Sequence, residues 1–441
     1  MAHFQLTDLI RPQTEACVCG RVHAAGISNV IIESGAIRRV PEVVRSYGAT
    51  KVFVIADGNT YEAAGREICA LLEQDGMPYT LFCLPSESFE CGEEQLGAIC
   101  MHFDTSCDFV LSVGSGVIND LGKVVSNITD RPYVIFGTAP SMDGYASSTS
   151  SVIKDRFKTS IQSRVGDTVI ADLDILCKAP MRMILAGLGD MLAKYISIAE
   201  WKIANIIRGD YFCPQVADMM LDGLAQCMEH LEGLPKRDPE AIKAVMNGMV
   251  LSGIAANYTG GSAPASGMEH YFSHISDLRG IEFGTVTDLH GIQCGAATIE
   301  TLALYEKMRE ITPDRAKALA HAARFNYEDW KKVLYSRLGS CANGMVAAEE
   351  REHKYDVERH RERLEIILEH WEEIRAVFYT LPTPAEIEDK LRAIGLPTRF
   401  TEIGFSEEDL HYAILMSKDI RDKYVGTRLL WDLGVLEEIV D

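Results

Sequence analysis

Five short runs of β-branched and aromatic residues punctuate the first 140 positions, each followed by a stretch of helical periodicity. This alternation constrains the fold more than any other feature of the chain. "NVIIESGA" (29–36) reads as a strand and turn, and "IRRVPEVVRSYG" behind it as a helix ending at Gly48. "KVFVIAD" (51–57) is a near-continuous apolar strand, with "GNTYEAAGREICALLEQDG" as its helix. "YTLFCL" (79–84), "DFVLSVGSG" (108–116) and "YVIFGTAP" (133–140) supply three more strands, the second running into glycines. Apolar strands alternating with helices require right-handed βαβ crossovers, so the expected core is a parallel sheet covered on both faces.

After residue 175 the texture changes. "DPEAIKAVMNGMVLSGIAAN" (238–257) has Asp238 at the N-cap and Pro239 at the first helical position, with Ile242, Val245, Met249 and Ile254 at helical spacing. "LEIILEHWEEIRAVF" (364–378) aligns Leu364, Ile367, Trp371, Ile374 and Phe378 on one stripe, a packed amphipathic helix or a face for a second subunit. Strand-like alternation does not return past 180. A chain of 441 residues exceeds what one hydrophobic core serves. The expectation is an α/β nucleotide-type domain over 1–175 and an all-helical domain over 176–441.

The balance of 43 basic against 64 acidic residues, net −21, repels phosphate backbones and anionic lipids. Nucleic acid is therefore not an expected partner, and an anionic substrate needs a local positive feature. The start, "MAHFQLTDLI", lacks the basic and apolar regions of a secretory signal, and no run of about 18 apolar residues predicts a membrane span. Twelve scattered cysteines suit reduced thiols in a cytoplasm. "CVCG" (17–20) with His23 is half of a zinc pattern, but no second CxC or CxxC accompanies it, so surface-turn cysteines are the expectation.

"VGSGVIND" (113–120) sits where a strand meets a helix. Gly114 and Gly116 let the backbone approach a phosphate, and the N–H groups of Val117 and Ile118 can face an anion. The pattern is GxGxxN on a fourth strand, so a plain tight turn fits it as well. Asp57, closing the second strand, suits either a ribose hydroxyl or a helix N-cap. "PSMDGYASSTSS" (140–151) surrounds Asp143 with hydroxyls, as an Asx-rich turn or a polyol site does. Asp190 is expected in the first turn of an apolar helix after two glycines, and His290 stands beside Gly291 in "VTDLHGIQCGAA". His270 and His274, at i and i+4 in "SGMEHYFSH", share a helix face. Singly each is an ordinary structural residue; together Asp190, His270, His274 and His290 form an O/N set suited to Zn, Ni or Fe(II). The order "EHYFSH" does not match the H-E-x-x-H of metalloproteases.

"GSGVIND", "TAPSMDGYASSTSS", "AGLGDMLAKYISIAEWK", "SGMEHYFSH" and "LHGIQCG", in this order, resemble the sn-glycerol-1-phosphate dehydrogenases. That family lies in the superfamily of iron-type alcohol dehydrogenases, glycerol dehydrogenase and dehydroquinate synthase. The resemblance runs from about residue 15 to 300, with an echo in "IRDKYVGTRLLWDLGVLEE". It implies a dehydroquinate synthase-like fold and reversible reduction of dihydroxyacetone phosphate, a small phosphorylated three-carbon substrate. It further implies that Gly114, Ser115, Gly116, Val117 and Ile118, with Thr138, Ala139, Pro140 and Ser141, hold NAD(H) or NADP(H), and that Asp57 and Ser147 touch the same cofactor. Asp190, His270 and His290 match the ligands of one divalent metal ion, Zn, Ni or Fe. Asp143, Asp190 and His274 match the catalytic and substrate-binding set. A cytoplasmic homodimer serving phospholipid metabolism is the corresponding expectation.

Two departures stand out: the glycine triplet reads Gly-Ser-Gly, and the segment from about 300 to 420, with its charged "AAEEREHKYDVERHRERLE", is longer and more divergent than the family pattern. For the substrate phosphate the chain offers Lys158, Arg164 and Lys194. Three rivals keep parts of this reading: a glycerol or polyol dehydrogenase, a dehydroquinate synthase-like lyase, and a non-catalytic nucleotide- or metal-binding regulator. The lyase needs a basic cluster near the motifs, which the acidic chain lacks.

Overall fold

The structure, a computed structural model, describes residues 3–86, 89–155 and 157–440. Among the described residues there are eight strands: β1 (Asn29–Glu33), β2 (Val52–Asp57), β3 (Tyr79–Leu84), β4 (Phe109–Gly114), β5 (Tyr133–Gly137), β6 (Thr149–Lys154), β7 (Phe157–Gln162) and β8 (Thr168–Asp172). Six of them form one sheet, in the order β1-β8-β5-β4-β2-β3, with every pair parallel. The expected parallel sheet is borne out. β4, β5 and β8 are buried at every position, as apolar strands covered on both faces must be. One face packs Val40, Val44, Ile68 and Leu72, from the flanking helices, onto Val54, Leu111, Val113 and Phe136.

Three strands were not expected from the sequence. β6 and β7 form an antiparallel ribbon whose outward positions are polar and exposed. β8 is five residues long and slots between β1 and β5.

The chain divides into two compact units. The first comprises Met1–Met191 and Gln215–Gly261, the second Leu192–Pro214 and Ser262–Asp441. The first unit thus continues beyond residue 175, and a returning helical segment belongs to it. Six helices matter below: α1 (Gly116–Thr129), α2 (Met181–Leu192), α3 (Lys194–Arg208), α4 (Pro239–Thr259), α5 (Met268–Phe283) and α6 (His290–Met308). α4 begins as expected, with the Asp238 carboxylate accepting from Ala241 N and Pro239 at the first position. The second unit is helical throughout its described residues. The 364–378 stripe is buried as expected, but it is split at His370 into the helices Val357–Glu369 and Trp371–Phe378. No helix among the described residues is long and apolar enough to cross a membrane.

Candidate functional site

In the first unit the strand order reverses between β2 and β4: the chain leaves β2 toward β3, then returns to lay β4, β5 and β8 on the other side. Parallel sheets bind ligands outside the carboxyl ends of the strands at such a switch point. Asp57 ends β2 and Gly114 ends β4, so both stand at this crevice. Ser115 N-caps α1 without using its side chain, and α1 starts at Gly116 with Val117 and Ile118 in its first turn. The N–H groups of a helix's first turn have no intrahelical acceptor and face an anion favourably. Gly114 is a requirement of packing: a Cβ there would lie 2.5 Å from Ile118 Cβ.

Asp57 N-caps the helix that follows β2. Its Oδ1 accepts from Asn59 N at 2.8 Å and Thr60 N at 2.9 Å, while its own N–H donates to Thr60 Oγ1, a complete capping box.

Thr138, Ala139, Pro140 and Ser141 follow β5, the neighbour of β4, and Thr138 N donates to Gly114 O at 3.0 Å. The two turns are therefore adjacent. α2 presses on the second of them, because a Cβ at Gly187 would lie 1.9 Å from Pro140 O. Three residues on is Asp190, not in a helix's first turn as expected, since α2 starts at Met181. It is fully buried, and its Oδ2 accepts from Asp143 N at 2.8 Å. Asp143 Oδ2 accepts from Ser252 Oγ of α4 at 2.7 Å. Asn257, one further turn along α4, takes Ser148 N on its Oδ1 and donates to Ala146 O. The hydroxyl-rich loop is thus a built structure that holds one carboxylate at a fixed position.

Ser147 is buried, and its Oγ accepts from Lys123 Nζ at 3.3 Å. Lys123, fully buried on α1, also donates to Gly144 O and Thr149 O and pairs with Asp120 at 2.8 Å. Of the residues offered for a phosphate, Arg164 is paired with Asp130 and Asp167. Asp167 accepts from Tyr133 N, the first residue of β5, so Arg164 stands at the amino edge of the sheet, opposite the crevice. Lys158 lies on the β6–β7 ribbon. Lys194, in the second unit, is fully buried and donates to Ala265 O.

In the second unit α5 carries His270 and His274 one turn apart, and α6 opens with His290. The His270 and His290 rings have centroids 5.0 Å apart, and their ligand nitrogens with Cys294 Sγ lie within 4.8 Å of one another. His274 stacks on His290 with centroids 5.8 Å apart. A second grouping, His274, Asp277 and His290, meets the same spacing. Glu269 decides which face of His270 is presented. Its Oε1 accepts from Gly267 N at 2.7 Å and lies 2.8 Å from His270 Nδ1. The ring proton resides on Nδ1, and Nε2 keeps its lone pair for an electrophile. His290 Nδ1 has Ser273 Oγ at 3.0 Å. Two converging imidazoles, one backed by a buried carboxylate, are the donor chemistry of a borderline divalent ion, so the residues fit the implied metal.

Electrostatics here follow burial. Burial pushes the Cys294 thiol up, but the adjacent His270 and His290 outweigh it and hold it below the usual thiol range. Glu200 on α3 accepts from Met268 N, Gly426 N and Tyr305 OH; burial, then the Glu269 charge, push it upward.

Sequence reasoning missed Glu269, Ser252, Asn257 and Lys123. Glu269 and Lys123 did carry a signal, a charged residue placed among buried helical positions.

The model of the iron-containing alcohol dehydrogenase family matches residues 31–180. A glycerol-1-phosphate dehydrogenase (NAD(P)+) of Halalkalibacterium halodurans is 33% identical over 294 residues, 66% of this chain and 74% of the relative. One from Bacillus licheniformis is 26% identical over 98% of this chain and 96% of its own. Among solved structures, an iron-containing alcohol dehydrogenase from Corynebacterium glutamicum superposes with a TM-score of 0.58 at 17% identity, covering 95% of this chain and 96% of that one. That likeness establishes the fold. With two relatives aligned over most of their length, the chain belongs to the glycerol-1-phosphate dehydrogenase family.

Proposed function

We propose that the protein is an oxidoreductase that reversibly reduces dihydroxyacetone phosphate to sn-glycerol 1-phosphate with NADH or NADPH. The observation that carries the reading is the match to glycerol-1-phosphate dehydrogenase over 98% of the chain. The cofactor's pyrophosphate is assigned to the N–H groups of 115–118 and the 138–141 turn, with Asp57 toward the ribose. Its capping box occupies one oxygen, Oδ1, and a carboxylate at that position favours NAD by repelling a 2′-phosphate.

Metal ligation is assigned to His270, His290 and Asp190, with zinc, nickel or iron as the class of ion. When bound, the ion supplies Lewis-acid stabilisation of the charge that develops on oxygen during hydride transfer. The protein's own groups do the positioning. Glu269 fixes the His270 tautomer. Asp143, oriented by Ser252 Oγ and by its own N–H on Asp190, receives the substrate hydroxyls. His274 binds substrate and relays a proton to or from the reacting oxygen. The same reading includes a cytoplasmic homodimer serving phospholipid metabolism, with its oligomeric state checked by light scattering.

The test compares kcat/KM for dihydroxyacetone phosphate and its dephosphorylated analogue, and assigns the stereochemistry of the product. A strong preference for the phosphorylated substrate, with the 1-phosphate as product, supports the proposal. Preference for glycerol, or release of phosphate from a heptulosonate, would replace it with the polyol dehydrogenase or the lyase.

A further inference from the structure

Cys17 and Cys19, expected as surface-turn cysteines, lie with His23 at the spacing of metal ligands. Cys17 N donates to Arg21 O and Gly20 N to Cys17 O, both at 2.8 Å, which closes a tight loop with Val18 exposed at its tip. His23 is 2% exposed, stacked on Tyr258 at 4.8 Å between centroids, with Nδ1 3.1 Å from Tyr258 O. A carbonyl only accepts, so Nδ1 carries the proton and Nε2 is the lone-pair nitrogen. Nε2 lies 3.5 Å from Cys19 Sγ, and the ligand atoms of Cys17, Cys19 and His23 lie within 4.8 Å of one another. Zinc bonds of about 2.3 Å to sulfur and about 2.0 Å to nitrogen, at tetrahedral angles, separate S and N by about 3.5 Å.

We infer that Cys17, Cys19 and His23 bind a structural zinc ion, separate from the proposed catalytic metal and independent of the dehydrogenase reading. Two thiolates and an imidazole select zinc over magnesium or manganese. Tyr258 O behind His23 is the outer contact that orients a zinc-bound ring. Gln215 Oε1 accepts from the Cys17 thiol at 3.0 Å, and with the thiolate an amide flip puts the Gln215 NH2 there as the donor. The fourth tetrahedral position takes water or another thiolate of the chain. Tyr258 lies near the end of α4, and Arg21 Nη1 donates to Thr259 O, so the ion clips segment 17–23 to the helix that carries Ser252 and Asn257.

The test loads the full-length protein with Co(II) and reads the near-ultraviolet thiolate-to-cobalt charge-transfer band. The band is expected in wild type, to be lost in the Cys17→Ser/Cys19→Ser variant, and to persist in Cys294→Ser. Zinc content should fall by one ion per chain in the double variant. A band that survives the double variant, or disappears only with Cys294→Ser, overturns the proposal. A second measurement on wild type guards against misfolding: alkylation of Cys17 and Cys19, mapped by mass spectrometry. Protection that a chelator abolishes supports the site; equal reactivity with and without chelator overturns it.

Discussion

Glu269 and His274 flank the same imidazole, yet the account gives them different work, and substitutions separate them. Truncating Glu269 leaves the His270 tautomer unset. Outer-sphere partners of this kind are worth about 10–100-fold in metal affinity. Glu269→Ala should therefore weaken the metal by that factor in a chelator competition, while Glu269→Gln, which keeps an acceptor at Oε1, should retain most of it. Unchanged affinity in Glu269→Ala would remove its positioning role. His270→Ala should release the metal outright. His274→Ala should retain it and lose turnover or substrate affinity. Metal loss in His274→Ala but not in His270→Ala would favour the His274, Asp277 and His290 grouping instead, and equal loss in both would contradict the division of labour.

At the level of elements, the turn after β5 is set by how closely α2 approaches it. A methyl at Gly187 collides with a backbone oxygen, which cannot swing aside as a side chain can. Gly187→Ala should cost about 1–3 kcal/mol of stability and displace the turn, so NADH affinity falls together with Tm. A variant with wild-type NADH binding would separate that helix from the cofactor site. This contact also marks the limit of what the sequence could convey. β2, β4 and β5 were legible because strands buried along nearly their whole length are written as unbroken apolar runs, and the more exposed β1 and β3 by their β-branched and aromatic residues; β8, though fully buried, was not read. β6 and β7 were not, since "TSSVIK" and "FKTSIQ" are mostly polar runs in which only Ser150 and Val152 are buried. Nor was the discontinuous first unit: α4 is a helix buried on most sides in a helical region, and nothing in its local pattern reveals that it packs with the sheet-bearing unit. The His and Asp residues of the site stood out in the sequence as a candidate ligand set, and the family resemblance supplied the role proposed for each. Their supports, Ser252, Asn257 and Lys123, are remote in sequence from the loop they hold.

The whole molecule carries a net charge of −21, and its acid response centres on buried carboxylates that are paired. Asp419, buried in the second unit, meets Lys418 at 2.9 Å, Arg428 at 3.0 Å, Tyr355 OH at 2.5 Å and Trp330 Nε1 at 3.0 Å. Burial pushes Asp419 up, but Lys418, Arg428 and Lys354 outweigh it and hold it below the usual carboxylate range. A depressed value stabilises the fold at pH above the unfolded value of about 4, and that stability is lost as pH falls through the folded value. Asp419→Asn should cost about 3–5 kcal/mol in urea unfolding at pH 7, because it strands two cations. The deficit should shrink toward pH 3; a pH-independent deficit would refute the linkage.

The central claim is that this chain reduces dihydroxyacetone phosphate with a nicotinamide cofactor and a bound divalent metal ion. The most direct measurement is NADH consumption with dihydroxyacetone phosphate, before chelation, after it, and after adding back Ni, Zn, Fe or Mg. The account predicts turnover that chelation abolishes and that one of Ni, Zn or Fe restores, with His270→Ala inactive throughout. Turnover unaffected by chelation, or none with any of these ions, would contradict it.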